Sequence, residues 1–513
     1  MSSRRLIPFL FCLVLLLTGC SSNSGLPITD SVPSVTLPPA EVSYVAPIGD
    51  AALEYTDTAV LYLPSHDGIS LTEVETELSF SLVRPAAETI IRALVAYTGT
   101  KEASALGGDV KLSLYGANPV EVSRDAATVN LSASALQLDR ETLYTVCQAI
   151  TNTLTRLDDI QYVNVLVVDK PVGLDIANTL PMGALKFNNP QDLNAVYDQL
   201  LSRRPTLGSA TAAAPLSASV LLYFPLQNSD GMVCESRTLS FENQRTPDMI
   251  TTILREIAAG PTDPSIGSTE LPLLADLLTA APEMTEDTAI GGRVISLDFA
   301  PNLDDMLEAY GITRNQCTAS LCYTLSSFFP NVAGISLSIN GTPVDSYTSA
   351  ADEADITEDF IFVRSDFSEL IYDYCTLYFA DSETGKLTSS RRAIAYHQRT
   401  NPRVLLCELA KGPQPSDSRP DLVPVIQQNA ITDTTLLGFA LSDGTLLTNF
   451  APSFERIGKA VTQEKERLFA YSLVNTLCMN NRVKSVCFFL SGEQFETFAG
   501  EIYWPGLFYP LPV

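Results

Sequence analysis

The sequence predicts an α+β protein of three tandem domains, each with the element order β-β-α-β-β-α-β and each a small sheet covered by two helices. Three observations support this prediction. The same series of strand, turn and helix signals occurs three times along the chain. The spacing inside the series is constant. The length of 513 residues is too great for one ordinary core and corresponds to about three domains.

Each copy opens with a predicted β-hairpin. An apolar strand is followed by a turn that contains glycine, which is a hairpin signal, and then by a strand with alternating apolar and polar residues. In every copy, 14 positions separate a tyrosine in the first strand from the matching position in the second. These pairs are Tyr62 and Thr76, Tyr223 and Arg237, and Tyr378 and Arg392. The constant separation predicts one hairpin geometry for all three copies.

A helix follows each hairpin, over residues 86–97, 247–259 and 402–411, because apolar residues recur there at helical spacing. Pro247 and Pro402 suit the first turn of a helix. A glycine marks the end of each predicted helix. These glycines are Gly99, Gly260 and Gly412.

The second half of each copy contains another hairpin, a second helix that ends in a Thr-Leu pair, and a closing strand. The second strand of this hairpin carries Asn130, Asp298 or Asn449 at its end. Turn or helix-entry hydrogen bonding explains these polar residues better than catalysis does. Every copy has a full set of elements, which predicts independent domains joined like beads rather than a solenoid.

The predicted domains occupy residues 53–183, 216–349 and 372–513, and the first copy is degenerate. Three segments of different composition precede or separate them. They are a flexible tether at 21–52, rich in Ser, Pro and Gly, a linker with an extra helix at 184–215, and an acidic connector at 350–371.

The N-terminus has the features of an export signal. Arg4 and Arg5 precede an apolar stretch, residues 6–17, which is too short to span a bilayer as a helix and suits a signal peptide. The sequence Leu-Thr-Gly-Cys that ends at Cys20 resembles the bacterial lipobox, in which the cysteine is lipidated. We therefore expect residues 1–20 to be a lipoprotein signal peptide and Cys20 to hold the chain on the extracytoplasmic face of the cell membrane. The alternative is an ordinary signal peptide in which Cys20 has no such role.

Charge and composition exclude several classes of function. The net charge of −27 argues against binding nucleic acid or an anionic bilayer. His66 and His397 are the only histidines, too few for a histidine-rich metal site. Adjacent carboxylates such as those at 158–159 and 304–305 point apart on a turn, whereas a glycosidase needs opposed carboxylates. We expect no catalytic residues, no cofactor and no metal, and hence no enzyme.

Eight cysteines remain after Cys12 and Cys20, and none form a Cys-x-x-Cys pair. Most lie in apolar runs, which favours buried free thiols. One or more disulfides are the alternative, because an outer compartment permits oxidation.

Arg237 and Arg392 occupy matched positions in the second strands of their hairpins. One interpretation makes them docking or anion-contact residues. The other makes each a charge pair or cap that fixes the hairpin against the helix, and exposed pairs of this kind contribute little to stability.

The C-terminal segment is the most aromatic part of the chain, with Phe495, Phe498, Tyr503, Trp504, Phe508 and Tyr509. Either it folds back to complete the core of the third domain, or it presents a surface to a partner or a glycan. Removing residues 502–513 distinguishes the two.

The repeated signals together resemble the GerM domain (GerMN) of sporulation and spore-germination lipoproteins of Gram-positive bacteria. The residues that carry the resemblance in the second copy are Val220-Leu-Leu-Tyr-Phe, Glu235-Ser-Arg237, Gly260-Pro261, Asp298-Phe299, Tyr323-Thr-Leu325 and Asn340-Gly341. The third copy matches with Tyr378-Phe379, Arg392, Gly412-Pro413, Asn449-Phe450 and Thr476-Leu477. The first copy departs from the pattern, since Thr76 replaces the arginine and no proline follows Gly99.

The resemblance implies a domain similar to the ring-building domains of secretion and sporulation channels. It also implies a non-catalytic scaffold or assembly role in sporulation or germination, through protein–protein docking with envelope or sporulation-complex proteins. Three copies depart from the tandem pair associated with the family. The alternative is a general cell-envelope lipoprotein that binds peptidoglycan or a small ligand.

Overall fold

The computed structural model describes residues 44–50, 53–202, 215–264, 266–268, 270–348, 354–356, 360–481 and 483–512. The predicted signal peptide, the lipidation site Cys20 and most of the tether lie outside these ranges.

The elements occur in the predicted order in all three repeats, which we call the first, second and third units. The first unit contains β1 (Glu54–Pro64), β2 (Leu71–Ser81), α1 (Ala86–Ala96), β3 (Val120–Ser123), β4 (Ala126–Leu131), α2 (Arg140–Leu154), β5 (Tyr162–Val167), β6 (Lys170–Pro171), β7 (Leu185–Lys186) and α3 (Leu193–Ser202). The second contains β8 (Leu216–Pro225), β9 (Met232–Phe241), α4 (Thr246–Ala258), β10 (Glu283–Asp287), β11 (Gly292–Phe299), α5 (Leu303–Ala309), α6 (Arg314–Ser326), β12 (Val332–Ile339) and β13 (Thr342–Pro343), followed by β14 (Ser346–Thr348), β15 (Ala354–Ile356) and β16 (Phe362–Val363). The third contains β17 (Tyr372–Ala380), β18 (Leu387–Ala395), α7 (Pro402–Ala410), β19 (Leu436–Ser442), β20 (Thr445–Phe450), α8 (Ser453–Lys459), α9 (Gln463–Asn481) and β21 (Ser485–Leu490). The α+β prediction and its element order are confirmed, and the short helices α5 and α8 are additions.

Within each unit, the five main strands are divided between a long antiparallel hairpin and a sheet with a core of three strands, to which the first unit adds β6 and β7 and the second adds β13 and β16. The sheets have the orders β3-β4-β5, β10-β11-β12 and β19-β20-β21. In each sheet the middle strand is antiparallel to the one before it and parallel to the last. A parallel pair needs a crossover connection, and the second helix of the unit supplies it.

The Thr-Leu pair that recurs in the second helices has a structural role. The threonine hydroxyl accepts a hydrogen bond from the main-chain N–H of the hairpin tyrosine, which joins the helix to the hairpin. The pairs are Tyr62 with Thr153 (2.9 Å), Tyr223 with Thr324 (3.1 Å) and Tyr378 with Thr476 (3.2 Å). In the second and third units, Ser320 and Ser472 also donate to the carbonyl of the same tyrosine, at 2.5 and 2.6 Å. Ala149 occupies this position in the degenerate first unit.

The described parts of the predicted connecting segments are packed against the units. Helix α3 lies in the 184–215 linker, and its Leu193 and Tyr197 are buried in the core of the first unit. Phe362 and Phe367, in the segment before β17, are buried in the core of the second unit.

The units pack on one another instead of forming the separate beads expected from the sequence. Ala126 and Tyr162 of the first unit belong to the core of the second unit, and Tyr396 of the third belongs to the core of the first. Leu53 and Leu82 of the first unit are buried in the core of the third. Tyr372 and Tyr374 of the third unit pack on Leu226 and Val233 of the second. Each unit therefore contacts the other two, and the repeat signals alone did not reveal these contacts.

The C-terminal segment completes the core of the third unit, which confirms the packing interpretation. Trp504 and Phe508 are buried there, and Phe495 and Phe498 pack against the same core. Tyr503 and Tyr509 are about half exposed, at 52% and 50%.

A single buried carboxylate anchors this segment. Glu466, in α9, accepts hydrogen bonds from the main-chain N–H groups of residues 498, 499, 501 and 502 and from the hydroxyl of Thr497. The indole Nε1 of Trp504 also donates to Glu466, at 2.9 Å. Burial by itself would raise the pKa of Glu466, but these hydrogen bonds outweigh it and lower the pKa from 4.5 to about 2.

This pKa shift predicts a loss of stability in acid. Because the folded-state pKa of Glu466 lies below its unfolded value of 4.5, the stabilisation is fully present above about pH 4.5 and is lost as the pH falls toward about 2. It amounts to at most about 3 kcal/mol. Urea unfolding at several pH values, followed by the fluorescence of the single tryptophan, measures the free energy of unfolding. We expect this free energy to fall with decreasing pH in the native chain and to fall less steeply in Glu466→Gln. Equal slopes in the two proteins would contradict the prediction.

Candidate functional site

The three units meet at the turn between β3 and β4, which we call the three-unit junction. The hydroxyl of Ser123 donates to the main-chain carbonyl of Tyr372 in the third unit, at 2.7 Å. It accepts the main-chain N–H of Cys234 in the second unit, at 2.9 Å. One hydroxyl of the first unit thus connects both other units.

Arg124, the next residue of this turn, also contacts both the second and the third unit. Its main-chain N–H donates to Asp373 of the third unit, at 3.2 Å, and its guanidinium donates to Asp263 of the second unit, at 2.6 Å. Arg124 has a φ of 53°, in the left-handed region that non-glycine residues rarely adopt. The contacts to two neighbouring units hold it in that conformation. Asp125 completes the turn by accepting a hydrogen bond from Ser236, at 2.5 Å.

A buried ion pair lies beside this turn. Asp373 pairs with Arg399, and the Asp373 side chain is only 4% exposed. Arg399 also reaches Asp159 of the first unit, at 3.3 Å. Burial raises the pKa of Asp373, although Arg399 acts in the opposite direction. A charge buried to this extent is costly unless it is satisfied. The pair itself lies within the third unit, and the first unit adds the Arg124 N–H on Asp373 and the carboxylate of Asp159 on Arg399.

The second and third units approach closely at Gly231. A Cβ atom on this residue would lie 2.3 Å from the ring of Tyr372, which is shorter than any real carbon–carbon contact. Next to it, Met232 and Ile371 form a parallel β-bridge between the two units. Gly231 is therefore required by the neighbouring unit.

A second ion pair joins the first and second units. Arg364 donates to Glu121 at 2.8 Å and lies over the ring of Tyr323, 3.9 Å from its centroid. Asn164 donates to the carbonyl of Ser327 at 3.0 Å in the same interface. Burial raises the pKa of Glu121, with Arg364 opposing it.

Arg237 and Arg392 are both turned into their own units. Arg237 pairs with Glu235 and Glu256 and donates to the carbonyl of Gly260, at 2.9 Å. Arg392 pairs with Asp417 and Glu408 and donates to the carbonyl of Gly412, at 2.5 Å. Each guanidinium thus caps the C-terminal end of the first helix, α4 or α7, from the hairpin. The geometry favours the structural alternative for these two residues, and a docking role gains no support from it.

The recurring residues at the end of the middle strand also form matched contacts. In each unit, the side-chain Oδ1 accepts a main-chain N–H from the turn that follows the last strand of the sheet. The pairs are Asn130 with Asp169 (3.0 Å), Asp298 with Gly341 (2.8 Å) and Asn449 with Gly492 (3.0 Å). They fix the turn to the sheet, as the turn interpretation predicted.

Cys147, Cys234, Cys317, Cys322, Cys375, Cys407, Cys478 and Cys487 are free thiols, and only Cys407 is not fully buried. Burial raises the pKa of every one of them, which keeps them protonated and unreactive. Within the described ranges, no group of three or more His, Cys, Asp or Glu residues is placed to hold a metal ion.

Sequence reasoning missed the residues of the junction. Ser123, Arg124, Asp373 and Arg399 occupy no repeated motif, and Arg124 and Asp373 lie 249 positions apart. Gly231 was visible, but only as a turn residue. The one signal that could have drawn attention to the junction is the row Ser-Arg-Asp at a hairpin turn, where Asn, Asp or Gly is usual.

No helix of the described residues is long and apolar enough to cross a membrane.

The fold and the junction define a class of protein in which copies of one α+β unit dock on each other. A family model described as "Germane: Sporulation and spore germination" matches residues 60–173, 221–345 and 376–496, one match in each unit. The chain therefore belongs to this family, and the resemblance stated from the sequence is confirmed. The family description names a developmental process and no reaction.

Solved structures give weaker similarities. The tandem GerMN domains of the sporulation protein GerM from Bacillus subtilis are 18% identical, cover 60% of this chain and 98% of their own, and have a TM-score of 0.24. A putative lipoprotein from Clostridium perfringens is 16% identical over 27% of this chain and 87% of its own, with a TM-score of 0.18. The first GerMN domain of the Bacillus subtilis protein is 17% identical over 26% of this chain and 97% of its own, with a TM-score of 0.20. No curated protein matches this chain significantly.

Proposed function

We propose that this chain is a membrane-anchored lipoprotein that acts as a non-catalytic scaffold or assembly factor in sporulation or spore germination, by docking onto other proteins. The observation that carries the proposal is the three-unit junction in a chain with three Germane matches. It supports docking because the units of this chain already recognise one another through buried polar contacts such as those of Ser123 and Asp373.

A preformed body suits a scaffold. Partner surfaces on three independent beads would have no fixed relation to each other, whereas surfaces on a packed body are held at set distances. Preorganisation of this kind lowers the entropic cost of binding. The proposed partners are proteins of the envelope or of the sporulation complex.

The proposal is tested by a pull-down from sporulating cells. The bait is the chain from Ser21 onward, and mass spectrometry identifies the retained proteins. A matched control bait carries Asp373→Ala, which unlocks the junction. Recovery of channel or engulfment-membrane proteins by the native bait, with weaker recovery by the control, is expected. Recovery of peptidoglycan alone would indicate that the chain is a general envelope-binding lipoprotein, and would contradict the proposal.

The anchor is tested separately at Cys20. We expect Cys20→Ser to abolish incorporation of labelled fatty acid and to move the chain from the membrane fraction to the soluble fraction, because two acyl chains are needed for stable anchoring. Cys12→Ser, inside the apolar part of the signal, is the matched control and should leave both readouts unchanged. Unaltered membrane attachment of the Cys20 variant would contradict the lipid anchor.

A further inference from the structure

The outer face of each three-stranded sheet, the face turned away from the helices of its unit, is in a different situation in each unit. Strand pairing identifies the equivalent positions. In the first unit Thr128 pairs with Asn164, in the second Ser296 pairs with Ser336, and in the third Leu447 pairs with Cys487. These positions are equivalent, because the first member of each pair lies two residues before the recurring Asn130, Asp298 or Asn449 in its strand.

In the first unit, this face is a docking face. Asn164 is 4% exposed and donates to the carbonyl of Ser327 in the second unit. Ala126 and Tyr162, at the other end of the same face, are buried in the core of the second unit. The outer face of this fold therefore binds another unit of the same fold at least once in this chain.

In the second unit, the same face is polar. Ser296, Ser336 and Ser338 are partly exposed, and they hydrogen-bond within the face, with Ser336 donating to Ser296 and Ser338 to Asp298. Serine at these positions is what a face in contact with water requires.

In the third unit, the face is apolar. Leu447, Cys487 and Phe489 replace the serines of the second unit and are at most 5% exposed. No other unit covers it. Leu507 of the C-terminal segment and Ala440 pack on its apolar side chains, and the rest of the cover is a short N-terminal segment, residues 44–50, which we call the strap. Tyr44 and Ala46 of the strap pack on this apolar cluster.

The third unit is shaped to receive the strap. A bulge between Leu436 and Gly438 takes Leu437 out of the strand pairing, and the Leu437 carbonyl accepts the N–H of Gly49, at 2.8 Å. A Cβ on Gly438 would lie 2.3 Å from the carbonyl oxygen of Gly49, so the close approach requires glycine there.

Polar contacts hold both ends of the strap. The amide of Asn449 donates to the carbonyl of Pro47, at 2.9 Å. Asp50 forms a bidentate pair with Arg403, at 2.8 and 2.9 Å. The side chains of Val45 and Ile48 point to solvent and are 78% and 89% exposed. A segment with so few buried contacts opens more easily than a packed unit does.

We propose that the outer face of the third unit is a second docking face for a unit of this fold, supplied by a second copy of this chain, and that the strap closes it within the same chain. The third unit has apolar side chains at the positions where the second unit has serines. The equivalent face of the first unit is buried by a neighbouring unit, which shows that this face of the fold can bind another unit. The proposal rests on the docking role proposed above and names one partner for it.

The test opens the strap without altering the face. In the chain from Ser21 onward, Ala46→Asp places a charge against the apolar cluster and should expel the strap. Val45→Asp, one residue away at an exposed position, is the matched control. Cys487 reports opening, because it is fully buried in the apolar cluster on which the strap packs. Alkylation mapped by mass spectrometry should be at least about tenfold faster at Cys487 in the Ala46 variant than in the control.

Light scattering then measures the molar mass of each variant in solution and so its oligomeric state. The Ala46 variant should form a concentration-dependent dimer, whereas the native chain and the Val45 variant stay monomeric. Adding Leu447→Ser, Cys487→Ser and Phe489→Ser, which copies the polar face of the second unit, should return it to a monomer. If the Ala46 variant unfolds the third unit, judged by Trp504 fluorescence, Asp50→Lys is the second way to release the strap.

Three outcomes would overturn the proposal. If the strap is open and the chain still stays monomeric at all concentrations, the outer face of the third unit is not a docking face. Unchanged alkylation of Cys487 in both strap variants shows that the strap is a fixed part of the fold. Polydisperse aggregates that persist after the three serine substitutions show non-specific association. None of these depends on finding a sporulation partner, so failure of the pull-down and failure of this proposal are distinguishable.

Discussion

Deletion of residues 502–513 is expected to unfold the third unit while the first and second units keep their structure. The deleted segment contains Trp504 and Phe508, both buried in the third core, where Phe488 contacts each of them. Removing a buried Phe or Trp side chain typically costs about 3 to 5 kcal/mol, so the two together cost roughly 6 to 10 kcal/mol. This is comparable with the entire stability of a typical domain, about 5 to 15 kcal/mol.

The deletion has a second cost at Glu466. The carboxylate loses the donors of residues 502 and 504 and is left partly unsatisfied in a buried position. A buried charge without its donors is strongly unfavourable, so these losses reinforce each other.

Hydrogen exchange measures the result unit by unit. Amides of α9 and β21 should lose their protection in the deleted chain, and amides of α2 and β5 should keep it. Tyr503→Ala and Tyr509→Ala are matched controls in the same segment, because both side chains are half exposed, and each should change the free energy of unfolding by less than about 1 kcal/mol. Full protection of α9 after the deletion would show that the segment is not part of the core.

The order of elements was predictable because each local signal has a local physical cause. Pro402 fixes the backbone for a first helical turn, and Gly412, with a φ of 73°, adopts the left-handed conformation that ends the helix. The predicted helix 402–411 accordingly differs by one residue from α7. The caps Arg237 and Arg392 were also visible, because a repeated arginine in a repeated hairpin has a repeated partner at the helix end.

The packing of the units was not predictable in the same way. The contacts of Ser123 with Cys234 and Tyr372 join positions 111 and 249 residues apart, and no periodicity connects them. The contacts of the strap were not predictable from the sequence either. Its composition, rich in small and polar residues upstream, predicted a flexible tether, but Gly438 and the bulge beside it create a binding site that only the fold brings into place.

The buried pair between Asp373 and Arg399 gives the second large effect that we expect. Asp373→Ala should lower the free energy of unfolding by at most about 3 to 5 kcal/mol, because removal of the buried partner leaves Arg399 with only its longer contact to Asp159. The change also removes the acceptor for the main-chain N–H of Arg124, so the strained turn of the first unit loses one of its supports.

The same substitution should loosen the units from one another. Hydrogen exchange should rise at the turn 123–125 and at β17, while the interior of each unit stays protected. Asp304→Ala is the matched control, because Asp304 also forms an ion pair within its own unit, with Arg314, but both side chains are more than 40% exposed. An exposed pair of this kind contributes less than about 1 kcal/mol.

A double-mutant cycle separates the pair from its surroundings. Arg399→Leu alone should be about as destabilising as Asp373→Ala alone, and the double variant should be less destabilised than the sum of the two, since it leaves no unpaired charge. Additive effects would show that the two side chains stabilise the chain independently. Coupling of more than about 1 kcal/mol would show that Arg399 holds the Asp373 carboxylate in place. Faster exchange at the turn 123–125 and at β17 would then show that this carboxylate supports the contact of the third unit with the first.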